Sequence, residues 1–163
     1  MNQNKLTGKI NFGTQKATTI NQLEFFLDSC FETLGVNESS EGIITSCAVE
    51  FCNLLSQLGQ RESIAVDIQV QHEGLTLTFL LNEEMYFAVK EFIINNSTDE
   101  RTVKIVLLSE TIEFDEVNSA IDLLFETKSV FGETVKSRNQ LLSKYHQKES
   151  FKVKISYDSN SRS

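Results

Sequence analysis

Three cysteines, two histidines and a scatter of carboxylates are the side chains here that could carry chemistry. Cys30, Cys47 and Cys52 contain no CxxC pair, and His72 and His146 make no HxxxH pair. A zinc site gathers four such ligands at short spacings, so no metal is expected. The cysteines fall on or beside the apolar stripes of two helices, where a thiol acts as a small core residue. No cationic neighbour in the pattern would turn one into a nucleophile. Glu83 and Glu84, and then Glu110, Glu113, Asp115 and Glu116, could do acid–base work or hold a divalent ion if a cleft paired them. In a chain with 23 Asp and Glu, carboxylates after strands and at helix starts are the simpler expectation, since they suit a helix N-terminus. Phosphate chemistry usually needs glycines that let backbone N–H groups approach the anion. The seven glycines form no GxG, Walker A, Rossmann or GxSxG pattern.

The elements that must position these residues are legible from periodicity. Residues 6–12 alternate, with Leu6, Gly8, Ile10 and Phe12 on one parity, as a half-buried strand does. A helix follows, with Thr19 and Gln22 in a capping-box pattern. Its apolar residues are Ile20, Leu23, Leu27, Cys30 and Leu34, and Gly35 stands at the left-handed C-terminal position. A second helix runs from about Ser40 to Leu58 on Ile44, Cys47, Ala48, Phe51 and Leu55, with Gly59 as its stop. Residues 64–70 and 75–81 form a hairpin around His72-Glu73-Gly74. A short helix is expected over 85–94, a turn at 95–99, a strand over 102–109 and a last strand over 151–157. His72 then lies in a turn and His146 at a helix end, both as surface residues.

Between the last two strands, helical character is expected from Asp115 to about Gln147. Val117, Ile121, Leu124, Phe131, Val135, Leu142 and Tyr145 keep a 4-3 rhythm, interrupted by Lys128 and Arg138. A continuous helix of about 31 residues would reach ~46 Å, well beyond a domain with a radius of gyration near ~15 Å. Two readings stay open: a projecting helix in 115–147 that forms a homodimer as a coiled coil, or two packed helices. The second is preferred, broken near Ser129–Gly132, because glycine costs about 1 kcal/mol inside a helix.

Strands that alternate need only one face covered, whereas a sheet buried on both faces would read as continuous apolar runs. The expected class is therefore α+β: a two-layer α/β sandwich. Its mixed, largely antiparallel sheet has about five strands, with helices on one face. Residues 1–157 are read as a single domain and 158–163 as a polar tail.

Composition narrows the partners. The formal charge is −8, and general nucleic-acid affinity needs a positive field, so no nucleic acid is expected. No run approaches the ~20 apolar residues of a membrane span. Met1 to Lys5 lead into no apolar signal region, and the odd number of cysteines argues against a disulfide scaffold. A cytoplasmic protein is the expectation. Charge is uneven: 133–163 carry a net +4 and 1–132 a net −12.

The helix Ile43-Ile44-Thr45-Ser46-Cys47-Ala48-Val49-Glu50-Phe51-Cys52-Asn53-Leu54-Leu55 and the hairpin that follows it resemble the ATP-binding fold of the GHKL superfamily. The anti-sigma-factor serine kinases are the most similar branch. The resemblance covers about 75 residues from Thr19 to Glu84, plus a final helix and strand over 133–157. It implies an N-box helix of form Glu-x-x-x-Asn, in which the Glu activates water or a hydroxyl and the Asn helps to hold magnesium. Here Glu50 and Asn53 are three apart rather than four. The Asp-x-Gly that reads adenine is replaced by Leu81-Asn82-Glu83-Glu84, and the glycine-rich lid is missing. The resemblance therefore implies a degenerate copy: a non-catalytic regulatory module that binds a protein partner and takes no cofactor. The alternative is a diverged ATP-dependent serine/threonine protein kinase, with Glu50 catalytic, Asn53 cofactor-binding, and ATP and Mg as cofactors.

Overall fold

A computed structural model describes residues 5–13, 15–71 and 74–126. In chain order these form β1 (Lys5–Ile10), α1 (Lys16–Leu34), α2 (Glu38–Gln57), β2 (Ile64–Gln71) and β3 (Gly74–Leu80). They continue with α3 (Glu83–Asn95), α4 (Glu100–Leu108), β4 (Thr111–Asp115) and β5 (Ala120–Glu126). The strands make one sheet in the order β1-β2-β3-β5-β4, and every neighbouring pair is antiparallel. This is the two-layer α+β sandwich that the alternating strands predict.

Strand register sorts the side chains into two faces. Leu6 and Ile10 of β1 lie level with Ile68 and Ile64 of β2, and Val66 and Ile68 with Phe79 and Leu77 of β3. Leu77 and Phe79 continue to Leu123 and Ile121 of β5, and these to Ile112 and Phe114 of β4. Apart from Leu6, these residues are buried and share one core with Leu23, Leu27, Ile44, Phe51, Leu55, Val89 and Ile105 from the helices. The Phe51 ring on α2 sits 4.4 Å from the Phe79 ring, centroid to centroid. An aromatic contact of this kind adds to the area that both rings bury.

The helix boundaries follow from their caps. Asn37, Asn82 and Asp99 each accept a hydrogen bond on the side chain from a backbone N–H of the first turn of α2, α3 and α4. Gly35 closes α1 at φ 74°, a left-handed conformation that glycine adopts without a Cβ penalty. The capping box expected at Thr19 and Gln22 is not a cap. Helix α1 begins at Lys16, and the two side chains instead hold the backbone of Asn11 just beyond β1. Thr19 Oγ1 donates to the Asn11 carbonyl at 2.9 Å, and Gln22 Oε1 accepts from the Asn11 N–H at 2.7 Å.

Two expected elements are corrected. Residues 102–109 are not a strand: 100–108 form α4. Its buried residues are Thr102, Ile105, Val106 and Leu107, of which the first three, with Ser109 just beyond, follow the helical spacing of three and four. Val103, Ile105 and Leu107 also alternate, so the period-2 reading competed with the helical one. Packing against α2 decides between them. Likewise, residues 115–126 are not helical. They close β4, turn at 116–119 and return as β5. Val117, an expected seam position, is 86% exposed in the turn, while Ile121 is a core residue of a central strand. The coiled-coil seam, and with it the homodimer expected through 115–147, loses its first three positions. The rest of that segment, and the strand expected over 151–157, lie outside the described residues.

Candidate functional site

Glu50 and Asn53, the pair on which a nucleotide site would depend, stand on α2 as expected, but their surroundings are built by α4. Glu50 Oε1 lies 3.4 Å from Arg101 Nε, and Oε2 lies 3.8 Å from Lys104 Nζ. Arg101 also donates through Nη1 to Gln57 Oε1. Deeper in the same contact, the Cys47 thiol donates to the Ile105 carbonyl at 3.5 Å. Helix α4 therefore lies along the Cys47–Glu50–Gln57 stripe of α2. Asn53 is half-buried, and its side-chain oxygen is buried with no hydrogen-bond partner. That oxygen is the one feature here that could suit a metal ion. The donor set does not fit magnesium: the only carboxylate of the pair already faces two cations, whose field opposes a divalent ion.

The segment after β3 is equally occupied. Asn82 Oδ1 accepts from the Met85 N–H at 2.7 Å, and exposed Glu83 and Glu84 fill the first turn of α3. Two carboxylates there favour the helix dipole and repel phosphate oxygens.

The three cysteines are buried and free. Burial pushes the Cys30 thiol up to about 11 and the Cys52 thiol up to about 12. Burial raises Cys47 further, with Glu50 acting in the same direction against a hydrogen bond from Ser109. Thiols held protonated in this way are inert as nucleophiles. Among the described residues, no group of three His, Cys, Asp or Glu could hold a metal ion. His72 and His146 lie outside the described residues.

The remaining acidic residues disperse. Glu116 pairs with Lys90 at 3.8 Å, and Asp115 accepts from Asn118 N and Nδ2 in the β4–β5 turn. Glu113 and Asp122 do come together. They are register partners on β4 and β5, on the sheet face turned away from the residues that meet the helices.

Compared with protein-family models, curated proteins and solved structures, the chain matches none.

That second sheet face is the surface the sequence reading did not single out. One row crosses all five strands: Thr7, Asp67, Thr78, Asp122 and Glu113. Thr7 donates to Asp67 and Thr78 to Asp122, both at 2.7 Å, and Lys5 Nζ lies 3.5 Å from Asp67. The β4–β5 half adds Asp115 and Glu126, and neither strand contains a lysine or arginine. A recess of about 260 Å³ opens where β3, β5 and β4 end, lined by Gly74, Thr76, Glu110, Thr111, Leu124 and Glu126 among others. Such a surface can bind through charge and hydrogen bonds; among the described residues it holds no nucleophile–base pair. The signal that could have revealed it is the alternation Thr111-Ile112-Glu113-Phe114-Asp115, which has the period of a strand.

Proposed function

We propose that this protein is a non-catalytic regulatory module that acts by binding another protein, on a fold resembling the anti-sigma-type ATPases but without their nucleotide machinery. The observation that supports it is the position of α4. The helix lies on α2 at Glu50, so the carboxylate that would have to activate a hydroxyl is used instead to hold two helices together. The loss of Asp-x-Gly after β3 and the carboxylates in its place point the same way. A cytoplasmic location and no nucleic-acid partner go with this reading. Among the described residues no helix is long and apolar enough to cross a membrane.

The test is thermal unfolding of the full chain with saturating Mg-ATP, with Mg-ADP, and with ATP in the absence of magnesium. A ligand at ~100 times its Kd stabilises by ~2.7 kcal/mol, about 5–10 °C for a chain of this size. No shift is expected. A magnesium-dependent rise of that size would overturn the proposal in favour of a diverged kinase.

A further inference from the structure

At 9 residues, α4 is the shortest of the four described helices; α1, α2 and α3 have 19, 20 and 13. Isolated helices below about 12–15 residues are marginal in water, so α4 persists through what it packs on. Its main contact is α2, where the Cys47 thiol reaches the Ile105 carbonyl and Glu50 faces both Arg101 and Lys104. Ile105, Val106 and Leu107 are buried, and their removal from water makes the packed form the resting one.

Polar groups at the same contact oppose it. Thr102 is fully buried and its Oγ1 has no hydrogen-bond partner; Asn53 Oδ1, on the turn of α2 between Glu50 and Gln57, is in the same condition. A buried oxygen left unpaired keeps the full cost of its lost hydration, and water reaching these two would relieve it. The ion-paired side chains at the rim, Glu50, Arg101 and Lys104, are 23%, 30% and 50% exposed, and pairs so exposed hold weakly. Asn95, Asn96, Thr98 and Asp99 ahead of α4 are exposed and leave it room to turn. We propose that α4 is a detachable cover, opening as a unit while α1, α2 and the sheet stay folded. The opened form frees Glu50 from both cations and brings Cys47 to solvent. Cys52 does not share this change. Five residues on from Cys47, it lies about 140° around α2 and is fully buried.

Alkylation of the full-length protein by iodoacetamide, in urea below the unfolding transition, tests this directly. Cleavage after Glu50 or Phe51 puts Cys47 and Cys52 on separate peptides, and each rate is divided by that of the same thiol in the unfolded chain. Where reclosing is fast, the rate follows the population of the open form. Cys47 should then react at least about tenfold faster than Cys52. Its rate should also depend less steeply on urea, because opening α4 alone exposes less surface than global unfolding. Gly8→Ala, which sets a Cβ against the Phe26 ring on α1, should accelerate Cys52 and leave Cys47 unchanged. Equal rates at every urea concentration, or a Cys47 rate that rises in step with Cys52 in Gly8→Ala, would overturn the proposal. If Gly8→Ala does not fold, the ratio and the urea slopes of the native chain decide the matter. Neither a nucleotide nor a protein partner enters this readout, so its result stands apart from the thermal-shift test above.

Discussion

Glu50 of α2 and Arg101 of α4 meet at 3.4 Å between Oε1 and Nε, across 51 residues of sequence. Both side chains are partly exposed, at 23% and 30%, so the pair belongs with interactions worth about 0.2–1 kcal/mol. Glu50→Gln should destabilise by about that much, and a double-mutant cycle with Arg101→Met should return a coupling energy of the same size. The coupling should shrink as salt rises. Urea unfolding of the four proteins measures it. A coupling of zero would release Glu50 from its role as the anchor of α4 and reopen the catalytic reading.

Gly8 shares the inward parity of β1 with Leu6 and Ile10, and it is there because of Phe26. A Cβ at position 8 would come within 3.0 Å of three ring carbons of Phe26 on α1. Gly8→Ala should therefore destabilise by about 1–3 kcal/mol through overpacking. Phe26→Leu, which withdraws the ring, should recover part of the loss in the double variant. Gly8→Ala as stable as the native chain would show that α1 can move away from β1 at little cost.

How much of this fold was legible depended on whether one periodicity stood alone. The hairpin was plain because Ile64, Val66, Ile68 and Val70 alternate with Ala65, Asp67 and Gln69, and no helical spacing competes. Residues 102–109 carried two periods at once. Val103, Ile105 and Leu107 suggested a strand, while the buried helical positions include Thr102 and Ser109, polar residues that disguise a core-facing stripe. In β5 the disguise ran the other way. Leu124 lies on the sheet face turned away from the helices, so Ile121-Asp122-Leu123-Leu124-Phe125 loses the polar beat of a strand and resembles a helical run. The Glu50–Arg101 contact was out of reach for the same reason, because a strand beginning at 102 leaves Arg101 outside any helix that could pack on α2. Glu113 and Asp122 could meet only once the β4–β5 hairpin was known.

The cap of α3 is a local feature and should behave as one. Asn82→Ala removes the acceptor for the Met85 N–H and should cost about 1 kcal/mol, whereas Asn82→Gly should cost only a few tenths. Thermal unfolding distinguishes the two. Equal losses would mean that the Asn82 side chain stabilises the segment by something other than its cap.

The buried thiols make a pH prediction whose sign is fixed by the direction of their shifts. Loss of solvation holds Cys30 and Cys52 protonated up to about 11 and about 12, against an ordinary 9.0. Above pH 9 the unfolded chain therefore releases thiol protons that the folded chain keeps. The contribution of each thiol is fully present below pH 9 and is lost as pH rises towards its folded value, at up to about 1.4 kcal/mol per pH unit. Urea midpoints should thus be insensitive to these groups from pH 7 to 8.5 and should fall between pH 9 and 11. Tyrosines and lysines titrate in the same range, so the comparison is with Cys52→Ala, in which the alkaline fall should be shallower by up to that amount. Iodoacetamide gives the kinetic counterpart. At pH 8 the native protein should leave Cys47 and Cys52 unmodified while urea exposes both, and alkylation of either at the rate of a free thiol would place it outside the core.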